Sequence, residues 1–321
     1  MALIINKSSG SASPGRERIQ AQRMDKAPIP SWLTSAALWG PRRRGDAGVD
    51  KLELGEVPLH LRAGETWFSE AELRGVGQLR PVDLRLLLVI CQRVAMNSER
   101  ELVKPSDEEN YVEAQRRLGW PDQVLPGYAL ARLDLPFRGL LATLDLTDTG
   151  GNRANLRASV RRLEGIGFSC VADGQRVQWQ LIHVFNASKA AFSVLLNPQL
   201  AYPGVFKRGV AWVDLAEQRR LKSEPARQLH VWVSGWCSGG QRHIRFEKLL
   251  SHVWPGEPQS PAALRYRRKC LSDALDAMAG LPGWRISEDS YGVVSIAMPG
   301  RPSAGSRPPG SKSRRRKGGE A

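Results

Sequence analysis

The chain has 321 residues, of which 41% are hydrophobic and 25% are charged, a composition typical of globular proteins long enough for two domains. Its 47 Lys and Arg residues outnumber 32 Asp and Glu residues, and the net charge of +15 favours a polyanionic partner, nucleic acid first and an anionic membrane surface second. No run approaches the roughly 18 apolar residues of a membrane helix and the first residues lack a signal peptide, so we expect a cytoplasmic protein without a membrane partner.

The two ends of the chain differ in composition from the middle. Residues 1–28 and 299–321 are rich in Ser, Gly, Pro and basic residues, and they predict a disordered basic arm and a disordered basic tail. Between them we expect a first domain over 29–200, with an insertion at about 97–135, and a second domain over 201–298. A strand at 191–196 is expected to lead out of the first domain into a linker near 197–207.

A weak internal repeat links the two halves. The segment 66–74 precedes Pro81 and an apolar helical run, and the segment 211–219 precedes Pro225 and a second such run. An aromatic residue, an Ala-Glu pair, an Arg and the Pro recur at nearly constant offsets. The repeat predicts two domains of the same kind.

Each half then shows the same order of elements. A short amphipathic helix, at 137–144 or 246–254, leads into a turn rich in helix breakers, and a longer basic helix follows. Two strand-like runs around a polar turn come next, and in the first half the pair Asp173-Gly174 is a strong hairpin signal. Helix, helix, turn, basic helix and hairpin is the order of a winged helix. We therefore predict an α+β fold with tandem winged-helix domains, each a helix-turn-helix with a β-hairpin wing.

The first basic helix is amphipathic. Leu156, Val160 and Leu163 fall on one face, which we expect to meet the core. Arg157 is the first candidate for reading a base and Arg161 the second, because an arginine bidentate to guanine is the commonest specific contact in the major groove. The residues of this domain predicted to contact DNA, on the helix or on the wing, are Arg153, Ala154, Arg157, Ala158, Arg161, Arg162 and Arg176.

The second basic helix begins after Ser260-Pro261, which predicts an N-cap followed by a proline in the first turn. Its expected core stripe is Leu264, Leu271, Leu275 and Met278. The run 265–269 is the densest basic cluster outside the tail. The predicted DNA-contacting residues of this half, including the cap and the wing, are Ser260, Arg265, Tyr266, Arg267, Arg268, Lys269, Ser272, Arg285 and Tyr291.

Motifs of catalysis and metal binding are missing from the sequence. No GxxxxGK[ST] loop occurs, the five histidines are scattered, and no carboxylate cluster has metal-ligand spacing. The four cysteines lie far apart and never at CxxC spacing, so we expect small buried hydrophobic residues rather than zinc ligands or disulfides. The expectation is a protein that is not an enzyme and needs neither cofactor nor metal.

Several segments of the second half resemble the replication protein C family of IncQ-type plasmids. They are 212–215, 224–230, Trp236, 249–255, the basic run 265–269, Leu275 and 281–284, together with 195–198 at the end of the first half. The resemblance is specific over about residues 190–297, looser over about 50–190, and does not cover the two arms. It implies a non-catalytic initiator that binds direct repeats (iterons) at a plasmid origin, promotes melting of an adjacent AT-rich segment and recruits the replicative helicase.

Other functions are compatible with the sequence. A winged-helix transcriptional regulator would use the same two domains, and an effector pocket would favour it. A plasmid DNA-processing enzyme, such as a primase or nickase, would need motifs that are not found. A general RNA-binding protein would show exposed aromatic residues at fixed places instead of a basic helix after a turn. The sequence leaves both a monomer and a homodimer open.

Overall fold

A computed structural model describes residues 25–34, 51–61, 64–75, 79–96, 100–103, 108–119, 130–172, 175–188, 190–197, 200, 210–237, 240–254, 258 and 260–299. The predicted basic tail and most of the predicted basic arm lie outside these ranges. So does most of the expected linker.

The described part of the chain mixes helices and short antiparallel sheets. Its helices are a 3-10 turn (Ser31–Thr34), α1 (Pro81–Met96), α2 (Glu108–Leu118), α3 (Phe137–Thr143), α4 (Gly150–Glu164), α5 (Leu215–Arg220), α6 (Glu224–Trp236), α7 (Phe246–Val253) and α8 (Pro261–Ala279). Its strands are β1 (Lys26–Pro30), β2 (Lys51–Leu61), β3 (Gly64–Arg74), β4 (Arg100–Val103), β5 (Leu130–Pro136), β6 (Gly167–Ala172), β7 (Gln175–Gln180), β8 (Ile182–Ala187), β9 (Ala191–Leu196), β10 (Val210–Asp214), β11 (Gln241–Arg245), β12 (Arg285–Glu288) and β13 (Val293–Ala297). The predicted α+β class is confirmed.

The strands form separate sheets in which all neighbours are antiparallel. Their orders are β2-β3-β6-β7, β4-β5-β9-β8, β1-β10 and β11-β13-β12. Strands β7 and β8 are interrupted at Leu181, whose N–H donates to the carbonyl of Ile166 instead of to a strand partner. One extended run of chain therefore supplies an edge strand to each four-stranded sheet.

The first hydrophobic core joins these two sheets to α1, α3 and α4. Its large buried side chains include Phe137, Phe168 and Trp179, with ring centroids 4.7 Å apart for Phe168 and Trp179. Leu156, Val160 and Leu163 of α4 are buried in it, as their helical spacing predicts. Burying a side chain of this size contributes about 1.5–3 kcal/mol, so this stripe fixes which face of α4 remains in solvent.

A second core lies between α6, α7, α8 and the sheet β11-β13-β12. Leu271, Leu275 and Met278 point into it from α8, while Leu264 is only partly buried at its margin. Trp284, at the start of the hairpin, is 4% exposed and closes one end. The predicted core stripe of α8 is confirmed apart from its first residue.

Strand β1 changes the predicted boundaries of the basic arm and of the two domains. The arm was expected to reach residue 28, but β1 begins at Lys26, Ala27 is fully buried, and the strand pairs with β10. Apolar residues Ala27 and Ile29 are protected in this pairing, so the chain is ordered earlier than its composition predicts. Ala211 and Val213 of β10 belong to the first core, although they were assigned to the second domain.

Several other expectations differ from the structure. The segment 66–74 lies within β3, whereas its sequence counterpart 211–219 is half strand and half helix, so the repeat is one of residues and not of local structure. The supposed insertion contains β4, α2 and β5, and β5 precedes α3 just as β11 precedes α7. The strand predicted at 191–196 is present as β9, and it lies in the interior of its sheet between β5 and β8.

Candidate nucleic-acid interface

Helix α8 is held by its cap and its apolar stripe. The Ser260 hydroxyl accepts a hydrogen bond from the N–H of Ala263 at 3.2 Å, and Pro261 occupies the first turn, as predicted. Because Leu271, Leu275 and Met278 are buried, the opposite side of the helix faces solvent. The cap fixes where the helix starts, and the stripe fixes its rotation.

The solvent side of α8 carries most of the residues predicted from the sequence. Arg265, Tyr266, Arg268, Lys269 and Ser272 are exposed, and the Tyr266 ring is 63% exposed. Arg267 is half-buried. The predicted polar face therefore forms one continuous surface, with Arg267 at its edge.

A groove of about 830 Å³ runs between this face, the start of α7 and the turn of the β12–β13 hairpin. Basic and hydroxyl groups line it together with acidic ones: Arg245, Glu247, Arg268, Lys269, Ser272, Glu288 and Tyr291. Arg268 donates to Glu247 at 2.7 Å, with both side chains at least half exposed. Basic residues outnumber acidic ones in the lining, which favours an anionic ligand.

The β12–β13 hairpin is shaped by its turn. The Asp289 carboxylate accepts hydrogen bonds from the N–H groups of Tyr291 and Val293, both at 2.9 Å, and Gly292 adopts a φ of +71° that favours glycine. This geometry leaves Tyr291 88% exposed at the tip. Arg285, on β12, is exposed as well.

Strand β11 adds basic residues that the sequence analysis missed. It pairs with β13, so Arg242 lies opposite Ile296, and Arg245 opposite Val293. Both arginines are exposed, and Arg245 lines the groove. We call α8, β11 and the β12–β13 hairpin the second basic surface.

Helix α4 is capped by Thr149, whose hydroxyl accepts a hydrogen bond from the N–H of Asn152 at 3.2 Å. The preceding turn ends α3 with Asp145 at a φ of 57°, and the N–H of Leu146 donates to the carbonyl of Leu141 at 2.9 Å. This is a Schellman-type ending with aspartate in the position that favours glycine. We call α4 and the β6–β7 hairpin the first basic surface.

Two arginines of α4 that were predicted to contact DNA are engaged with neighbouring side chains. Arg153 forms a bidentate pair with Asp148, with Nε–Oδ1 at 2.6 Å, and these hydrogen bonds hold the pKa of Asp148 below its ordinary value. Arg157, the first candidate for base reading, is half-buried with its guanidinium 4.7 Å from the ring centroid of Phe137. Both remain partly accessible at the edge of the helix.

Arg162 was predicted to reach phosphates, and the structure corrects this. Its guanidinium forms two 2.8 Å hydrogen bonds with the carboxylate of Asp83 on α1, and its side chain is 14% exposed. Asp83 is fully buried and also accepts a hydrogen bond from Ser159. Arg162 faces inwards because a buried carboxylate needs a compensating charge. We assign it to the stability of the fold.

Arg176, on β7, also meets acidic groups. Its guanidinium lies 2.5 Å from the Glu70 carboxylate and 3.8 Å from that of Glu72, which is nearly buried. Glu70 sits at a bulge of β3 with a φ of 49°. The wing of the first basic surface is thus charge-compensated.

The solvent face of α4 is formed by other residues. Ala154, Ala158 and Arg161 are exposed as predicted, and Asn155 is exposed between them. No hydrogen-bond partner of the Asn155 amide occurs in the described part of the chain. Asn155 is a residue that the sequence reasoning missed, although its position three residues before Ala158 places it on the same face.

The comparison with protein families decides the identity at the level of the family. A model of replication protein C matches residues 46–300, which is most of the chain. The chain belongs to the replication protein C family. It is therefore a replication initiator, and the expected resemblance is confirmed across both halves.

Other comparisons add little to this assignment. No curated protein matches this replication protein C family member significantly. A crystal structure of domains 2 and 3 of RctB is similar at 12% sequence identity and a TM-score of 0.45, covering 85% of this chain and 99% of that one. A second RctB structure of the same domains gives 12% identity and a TM-score of 0.43, covering 83% and 95%.

The described residues of this replication protein C family member contain neither a candidate membrane span nor a candidate metal site. None of its described helices combines the length and the apolar character needed to cross a bilayer. Within the described ranges, no three His, Cys, Asp or Glu side chains are arranged to hold a metal ion.

Proposed function

We propose that this initiator binds double-stranded DNA at direct repeats of a plasmid origin through two winged-helix units. It promotes melting of an adjacent segment and recruits the replicative helicase, and it does so without catalysing a reaction. The proposal joins membership of the replication protein C family to the geometry of the two basic surfaces.

The observation that carries the proposal is the position of β11, which comes before α7 in the chain and pairs with β13 of the hairpin. The order α6, β11, α7, α8, β12 and β13, with β11 paired to β13 beside the hairpin, is the order of a winged helix. In that arrangement the helix after the turn enters the major groove and the hairpin lies over an adjacent stretch of backbone. Helix α8 is this helix, and its solvent face carries Arg265 and Lys269.

The first unit supports the proposal with the order α1, β5, α3, α4, β6 and β7. Here β5 pairs with β9 and β4 instead of the hairpin, so the unit is a variant of the same order. Its solvent face offers Asn155 and Arg161, whose side chains suit adenine and guanine. Two such helices in one chain can read two successive faces of one repeat.

A DNase footprint of the pure protein across its own replicon tests the proposal. We expect regularly spaced protection over direct repeats next to an AT-rich region. R265A should weaken binding to one repeat by about 1–3 kcal/mol if Arg265 reads a base. R116A on α2 is the matched control, because it removes the same charge outside the two basic surfaces and should bind as wild type.

The outcomes separate the proposal from its alternatives. Protection of one inverted repeat over a promoter would identify a transcriptional regulator. Metal-dependent nicking or primer synthesis by the pure protein would identify a DNA-processing enzyme. Absence of site-specific protection at moderate salt would overturn the proposal.

A further inference from the structure

The first basic surface is largely compensated by the protein's own carboxylates. Arg153 is paired with Asp148, Arg176 with Glu70, and Arg162 is withdrawn against Asp83. A phosphate that approaches Arg153 or Arg176 must compete with an acidic group already in contact. A phosphate contact made by Arg153 or Arg176 should therefore release fewer counterions from the DNA than a contact made by an unpaired arginine.

The balance between basic and acidic groups differs on the second basic surface. Arg242, Arg245, Arg265 and Lys269 are exposed, and none of them has an ion-pair partner within the described ranges. Arg268, on the same surface, is paired with Glu247. Glu288 also lines the groove, yet the unpaired cations outnumber it.

The groove places some of these cations together. Arg245, at the end of β11, and Lys269, on α8, line the same 830 Å³ space, and Ser272 and Tyr291 add hydroxyl groups to it. Cations and hydroxyls in one groove fit the phosphates of a DNA strand passing between the helix and the hairpin. The helix of the first basic surface exposes Asn155 and a single arginine, Arg161, beside the small side chains of Ala154 and Ala158.

We propose that the two units divide the work of binding: the second basic surface makes most of the phosphate contacts, and the first contributes base discrimination with few phosphate contacts. This division rests on the proposed function, since it presupposes that both surfaces face duplex DNA. It assigns Arg245, which lies at the end of the strand before α7, to the phosphate-binding surface.

The salt dependence of binding by the full chain tests the division. Fluorescence anisotropy with a labelled random-sequence duplex would compare two double variants, R245A/K269A and R153A/R176A, each of which removes two positive side chains. Each phosphate contact contributes about 0.9 to the slope of log affinity against log salt, so R245A/K269A should flatten the slope by about 1.8. When the salt concentration rises from about 50 to 200 mM, the factor by which that variant loses affinity should be about twelve times smaller than the factor for wild type.

R153A/R176A should change the slope by less than half as much, because its arginines are already paired. Thermal melts and the glutamine versions of both variants show whether a change reflects folding. Equal flattening by the two variants, or greater flattening by R153A/R176A, would overturn the division. The division would also be overturned if the affinity of the wild-type protein for the random duplex did not change with salt. A missing footprint over repeats would instead defeat the proposed function and leave the measured slopes standing.

Discussion

Arg162 and Asp83 join α4 to α1 through two parallel hydrogen bonds of 2.8 Å, with the carboxylate fully buried. The Asp83 carboxylate also accepts from the N–H of Arg80 at 2.8 Å, so the pair is anchored at the start of α1. The solvent face of α4 depends on this contact, because it holds the second half of the helix against the core.

Replacing Arg162 should destabilise the protein strongly. R162A leaves the buried Asp83 carboxylate without its counter-charge, and we expect a loss of about 3–5 kcal/mol in the free energy of unfolding. Urea denaturation followed by circular dichroism measures this. R161A is the matched control, since its exposed side chain should contribute less than about 0.5 kcal/mol. Equal midpoints for R162A and R161A would show that the pair does not stabilise the fold.

Asp145 offers a stabilising substitution. Its φ of 57° lies in the left-handed region, where a Cβ is unfavourable and glycine is not. D145G should raise the free energy of unfolding by about 0.5–1 kcal/mol, and DNA affinity should stay the same. A154G, inside α4, is the control for the added flexibility of glycine, and it should lower the free energy of unfolding by about 1 kcal/mol. A lower melting temperature for D145G would contradict this interpretation of the turn.

We expect Asn155 to give the protein a preference for adenine at one position of its DNA site. An exposed asparagine on a recognition helix can bind adenine through two hydrogen bonds, so N155A should reduce discrimination at one A·T pair by about 1–3 kcal/mol. Binding to a random duplex should not change. Competition binding with single-base variants of the footprinted repeat measures the effect, and N155Q should recover part of it because glutamine carries the same groups. Unchanged discrimination at every position would remove Asn155 from the interface.

The protein should become less stable as the pH falls below about 6.5. Burial, with a contribution from Lys248, lowers the pKa of His252, which stacks on Trp232 at a centroid distance of 4.6 Å. The unfolded chain then binds more protons than the folded one near pH 6, so stability rises with pH through this range. H252F should reduce the slope of stability against pH between 5 and 7, as measured by urea midpoints. A steeper or unchanged slope would argue against His252 as its source.

Thiol reagents should distinguish Cys270 from the other three cysteines. Burial raises the pKa of the Cys91 thiol to about 12 and that of Cys170 to about 12, and Cys237 is also buried with a raised pKa. Only Cys270 is partly exposed. In the native protein a disulfide reagent should therefore modify about one thiol quickly, and C270S should abolish this fast phase. Rapid reaction in C270S would show that one of the buried thiols is accessible.

The sequence predicted those features that depend on local periodicity. The buried stripe 156, 160 and 163 and the cap at Ser260 follow from helical spacing and from short-range hydrogen bonding. Strand β11 was missed because Ile244 is its only buried residue, so its pattern gives no strand signal. Asp83 was missed as a partner of Arg162 because the two lie 79 positions apart. Which arginines are paired is decided by such long-range contacts, and a single sequence does not reveal them.

The pairing of β1 with β10 places Lys26 opposite Asp214, on two segments far apart in the chain. On the ribosome, β1 emerges long before its partner is made. At about 5–20 residues per second, roughly 10–40 s of synthesis separates the two strands. During this interval the apolar side chains of Ala27 and Ile29 lack their sheet partner, and the first core cannot be completed. The first core can therefore be completed only after the start of the second half has been synthesised.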